Sequence, residues 1–177
     1  MKQRLTLYYS LFDSHLNYGN LLWGCGKPIF LKKVINLQKK SVRNVALKSS
    51  RAHTDPIFKN LEILKLEDKL SYCRGIFMHK YRHGKLPESF NGLFSDIVCS
   101  DELQTRHNWY NYVNKPAIKK SLENFPLKKI LTNWNSLDIE IKSIGEREEF
   151  ESELKIHFLS QYSSETDCPP GCYSCAS

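Results

Sequence analysis

Leu5-Thr6-Leu7-Tyr8-Tyr9-Ser10-Leu11-Phe12-Asp13-Ser14-His15-Leu16, continued by Asn17-Tyr18-Gly19-Asn20-Leu21-Leu22-Trp23-Gly24, decides the reading of this chain. Leu5, Tyr8, Tyr9, Phe12 and Leu16 recur at the three- and four-residue spacing that places side chains on one helix face, so a helix is expected over residues 3–23. Gly24, Gly26 and Pro28 end it, because neither residue type continues a helix without cost. A second helix is expected from Ile29 to Leu47. Leu31, Val34, Ile35, Val42, Val45 and Ala46 form its inner face, while Lys32, Asn36, Lys39, Lys40 and Arg43 form its outer one. A short glycine-containing loop favours antiparallel neighbours, so the two helices should pair as a hairpin.

Beyond the hairpin, the polar run from Ser49 to Pro56 interrupts the pattern. Thr54 or Asp55 then serves as N-cap, with Pro56 in the first turn of a short helix to Leu61. Leu70, Cys73, Arg74, Phe77 and Tyr81 predict a longer helix over 67–81, closed by Gly84 in a left-handed C-cap. Residues 95–126 show no clean period and read as a long irregular segment. Helical order is expected again near Leu127–Leu137, and Phe150, Leu154 and Phe158 predict a last helix over 143–161. The expected fold is mainly α: a small antiparallel helical assembly with a long irregular segment and a mobile C-terminal tail. Its divisions are 1–94, 95–126, 127–161 and the cysteine-containing tail 162–177.

The chain has 177 residues, 41% apolar and 25% charged, which is globular composition and long enough to bury a core. Leu5 to Gly26 is too polar to span a bilayer, and Met1-Lys2-Gln3-Arg4 precedes no continuous apolar core of a signal peptide, so no membrane association and an intracellular location are expected. Charge is unevenly placed. Residues 1–51 hold ten Lys or Arg against one acid, Asp13, and no acid occurs from Ser14 through Thr54. A concentrated positive field suits a polyanion such as nucleic acid, and a solvated helix face reads equally well. Cys25, Cys73 and Cys99 are scattered and read as small buried apolar residues.

The motifs are more specific than the composition. The opening segment with Tyr18-Gly19-x-x-x-Trp23-Gly24 is followed by Leu37-Gln38-Lys39-Lys40, His53-Thr54-Asp55-Pro56-Ile57-Phe58 and Leu61-Glu62-Ile63-Leu64. Phe77-Met78 and Lys80-Tyr81 then lead into Leu86-Pro87-Glu88-Ser89-Phe90, and later come Gln104-Thr105-Arg106 and Trp134-Asn135-Ser136-Leu137. In order and spacing this series resembles the C-terminal, thumb and post-thumb region of reverse transcriptases of non-LTR retrotransposons, the jockey-like long interspersed elements. Asp138 stands where the family has proline, and Leu131-Thr132-Asn133 stands where it has glycine. The resemblance implies a role in gripping the template–primer duplex or engaging element RNA, beside upstream polymerase domains. The aromatic-x-Asp-Asp signature of the catalytic palm is absent, the nearest string being Phe94-Ser95-Asp96-Ile97. The chain is therefore expected neither to polymerise nor to cut.

Lys32, Lys33, Lys39, Lys40 and Arg43 are the expected nucleic-acid contacts, since phosphate contacts fix position without reading sequence. The alternatives are a decayed remnant that binds nothing specific, and a helical module that recruits a protein through the aromatics of residues 5–23. Tyr8, Tyr9, Tyr18 and Trp23 suit base stacking or packing. His15 and His53 read as capping or packing residues. Cys168, Cys172 and Cys175, with His157 upstream, are the sole metal-like cluster. Three thiolates fall one short of a closed zinc site, so no cofactor is expected.

Overall fold

The computed structural model describes residues 2–94, 110–112 and 125–163, and it is mainly helical. The chain divides into two compact units, one of residues 1–70 with 156–177, the other of residues 71–155.

In the first unit, α1 (Lys2–Leu7) runs through a π-type turn (Tyr8–Asp13) into α2 (Ser14–Asn17). The Ser14 N–H donates to the Tyr9 carbonyl, five residues back. The wider turn rotates the apolar face: Tyr8, Asp13 and Leu16 are buried, while Tyr9, expected on the core stripe, faces solvent. The helix also stops short of residue 23. Tyr18 is extended and Gly19 takes φ +60°, after which α3 (Asn20–Trp23) makes a single turn. The Trp23 indole N–H donates to the Tyr18 carbonyl at 2.7 Å, and a Cβ on Gly24 would come within 2.5 Å of both the Asn20 carbonyl and Leu70. The Tyr-Gly-x-x-x-Trp-Gly motif is thus a self-braced corner.

Next, α4 (Pro28–Ala46) starts with its proline at the first helical position and ends at Leu47, whose left-handed φ of 53° lets its N–H reach the Arg43 and Asn44 carbonyls. Tyr8 shares a core with Val42 and Val45, while Leu16 shares one with Leu31, Val34 and Ile35. Early residues of one arm therefore meet late residues of the other, which is the antiparallel hairpin. Following Thr54, whose carbonyl accepts the Phe58 N–H at 2.9 Å and whose side chain makes no cap bond, α5 (Asp55–Asn60) adds Ile57 and Phe58 to the Tyr8 core.

Two polar connections and one buried ring tie these helices together. Gln38, 1% exposed, donates to the Tyr8 hydroxyl at 3.1 Å and the Leu64 carbonyl at 2.9 Å, and accepts the Leu66 N–H at 2.8 Å. Asp13 is ion-paired with Lys69, both side chains mostly buried, and it also accepts from Asn17 at 3.0 Å. Tyr162, expected in the mobile tail, is instead buried against Phe58 and the Tyr8 core. Residues 164–177 lie outside the described residues.

The second unit takes the larger part of α6 (Leu66–Arg82), the 3-10 turn Glu88–Phe90, α7 (Pro126–Asn135), α8 (Ile139–Lys142) and most of α9 (Arg147–Ser160). Gly84 caps α6 with φ +63°, its N–H on the Tyr81 carbonyl and that of Lys85 on the Lys80 carbonyl, as expected of a left-handed cap. The last helix, expected from residue 143, begins at Arg147, and α8 precedes it as a separate turn. The core joins Trp134 to Phe150 at 6.1 Å between rings, and Phe150 stacks on the buried His79 at 4.3 Å. Gly75 lets Leu154 approach closely, since a Cβ there would lie 2.7 Å from it. Buried Lys142 donates to Asn111 Oδ1 at 2.9 Å and the Asn135 carbonyl at 3.0 Å, and burial lowers its pKa to about 8.

Candidate nucleic-acid interface

Because Val42, Val45 and Gln38 point inward, the polar positions of α4 turn to solvent. Lys32, Lys33 and Lys40 are exposed, and Lys39 and Arg43 are half-buried. Lys32 and Lys39 lie seven residues apart, as do Lys33 and Lys40, so each pair repeats at about 10 Å along the axis. Two parallel cationic rows result. Among the described residues none of these five cations is in a salt bridge. Asp13, the one acid of the first 51 residues, is turned inward to Lys69, and α4 itself carries no acid. A row of unpaired cations on a rigid rod fits phosphates, which need charge and reach but no base-reading geometry.

Arg43 has a structural bond as well. Its Nε donates to the Ala52 carbonyl at 2.9 Å and pins the connection between α4 and α5, which makes it the least free of the five cations. Other sequence candidates are dispersed. Tyr8 is a core residue, Trp23 braces the corner, and only Tyr18 and Tyr9 present rings to solvent. His15 and His53 are both exposed. Cys25 is buried and Cys73 half-buried, whereas Cys99 lies outside the described residues. So do Cys168, Cys172 and Cys175; His157 sits on α9 beside Phe158 and Gln161. Among the described residues no group of three His, Cys, Asp or Glu is arranged to hold a metal. No described helix is long and apolar enough to cross a membrane.

Compared with models of protein families, with curated proteins and with solved structures, the chain matches none.

The apolar residues on the outside of α4 escaped the sequence reading. Ile29, Phe30 and Leu37 are exposed, as are Leu7 and Leu11 on the N-terminal arm. Their signal was present, since Phe30 and Leu37 fall off the Leu31–Val34–Ile35–Val42 stripe, but an off-stripe leucine carries no meaning until its neighbours are known.

Proposed function

We propose that this chain is the thumb and post-thumb part of a non-LTR retrotransposon reverse transcriptase, without the catalytic palm, and that it binds the nucleic-acid backbone through α4. The observation that carries the reading is the double row of Lys32, Lys33, Lys39 and Lys40, free of ion pairs among the described residues, on a helix without an acidic residue. The motif series from Leu5 to Leu137 supports the family. On this reading the chain is a binding element that works beside polymerase domains, and it is no enzyme by itself.

The test is duplex binding across a salt series. Four neutralised phosphates give a slope of log K against log salt of about −3 to −4, from roughly −0.9 per contact. Changing Lys32, Lys33, Lys39 and Lys40 to Gln should flatten it toward zero. A slope that stays the same would place the contact elsewhere. Given primed RNA template, deoxynucleotides and magnesium, the pure protein should extend no primer beyond a heat-inactivated control.

A further inference from the structure

A groove of about 280 Å³ runs between the N-terminal arm and α4, with Leu7, Leu11, Phe12 and Val45 on its walls and Arg4 and Asn44 at its edges. Its apolar walls are open: Leu7 is 55% and Leu11 67% exposed. The apolar strip continues along α4. Leu37 lies one turn before Ser41, another lining residue, and Phe30 lies two turns before Leu37, both exposed. Aliphatic side chains set in a row along a groove and left in water mark a surface that a partner covers.

Geometry and charge restrict that partner. A trough between two antiparallel helices accepts a third helix, whose apolar side chains at i, i+3 or i+4 and i+7 drop between the walls. The rim is cationic on both sides: Arg4 on the arm, and on α4 Lys33 and Lys40, each one turn before a residue of the groove side, Leu37 and Asn44. Within the arm and α4 no acid offsets them, because Asp13 is buried against Lys69 and α4 carries none. Nucleic acid is a poor occupant, since the most exposed wall residues, Leu7 and Leu11, offer neither stacking faces nor hydrogen bonds to bases. A basic partner helix would meet like charge on both edges.

We propose that this groove is a docking site for an acidic amphipathic helix of another protein, with leucine-like anchors between the walls and Asp or Glu against Arg4, Lys33 and Lys40. The proposal goes beyond the nucleic-acid reading and does not depend on it. Because Lys33 and Lys40 serve both surfaces, the two ligands compete for them.

The test uses the whole chain and a fluorescein-labelled peptide of about four helical turns, with Leu at helical spacing and Glu elsewhere. Two controls are the same composition scrambled and the same pattern with Lys for Glu. The patterned acidic peptide should raise anisotropy saturably and both controls bind at least about tenfold more weakly. Leu11→Ser and Arg4→Glu, both near the surface, should each weaken it by about tenfold while keeping the circular dichroism of the parent. Leu11→Ser should leave the salt slope for duplex DNA intact, so failure of the groove and failure of the α4 phosphate surface register separately. Equal binding of the scrambled peptide, or indifference to Leu11→Ser, would overturn the proposal. So would concentration-dependent dimers that Leu11→Ser abolishes and the peptide does not disperse, because a second copy would then fill the groove.

Discussion

The hydroxyl of Tyr162 donates to Asp68 Oδ2 at 2.6 Å while accepting the backbone N–H of Lys65 at 2.8 Å. One side chain from beyond α9 thereby closes the start of α6, and Lys59 and Lys65 complete the clasp, one bonding the Tyr162 carbonyl at 3.0 Å and the other lying 4.2 Å over the ring. Burial above all, and then the Asp68 carboxylate, raise the pKa of the hydroxyl, so it stays protonated and remains a donor.

Tyr162→Phe keeps the ring in its core but removes a charge-assisted hydrogen bond and orphans the Lys65 N–H. It should cost about 2 kcal/mol in urea unfolding. A stop after residue 161 should cost more, as it also removes the ring from Phe58. If Tyr162→Phe unfolds at the parental urea midpoint, the clasp contributes nothing.

Gln38→Leu would retain volume but strip three buried partners of their hydrogen bonds at once. Each stranded group costs roughly 1–3 kcal/mol, which makes this the most damaging single change in α4, well beyond Val42→Ala. Circular dichroism melts of the two variants give the ranking, and the reverse order would show that water reaches Leu64 and Leu66.

The Asp13–Lys69 pair should respond asymmetrically. Lys69→Met alone leaves a mostly buried carboxylate held by Asn17 only, at a cost of about 3–5 kcal/mol. The double change Asp13→Leu with Lys69→Met removes both charges and should recover most of that loss. A double-mutant cycle reads the coupling, and additivity of the two single changes would show that the pair is not coupled.

Acid should weaken the second unit. Burial lowers the pKa of His79 below 6.5, opposed by its bond to the Ile144 carbonyl and by Glu151 and reinforced by His83 and Lys85. Burial, Lys85 and Arg82 lower His83 too, with Glu146 opposing. Both groups favour the neutral form when folded, so the unfolded chain binds more protons. Their contribution is complete above pH 6.5 and is lost as pH falls through the folded values. The melting temperature should therefore drop between about pH 7.5 and pH 5, and His79→Phe should shrink that drop. An undiminished drop in the variant would assign the titration to other groups.

Much of this was legible in the sequence. The hairpin, the α6 helix with its Gly84 cap, the Pro56 start and the lysine face of α4 follow from periodicity and from the fixed φ of proline, which act over a few residues, whereas Pro28 proved to open α4 and not only to end the helix before it. The π-type turn was not legible, because a single extra residue in one turn leaves the apolar spacing almost unaltered while moving Tyr9 to solvent. Nor was the structural duty of Arg43, since a basic residue on an outer face looks the same whether it meets solvent or a carbonyl nine residues on.

Local sequence by itself determined where helices form and stop, because helix periodicity and capping are interactions between near neighbours. Tertiary structure alone decided which polar groups became interior. Gln38 finds Leu64 across 26 residues, Asp13 finds Lys69 across 56, and Tyr162 finds Lys65 across 97. Each would be an ordinary surface residue of its own segment. Burying such a group is unfavourable until a partner meets its hydrogen bonds, and only the packed chain brings that partner within 3 Å.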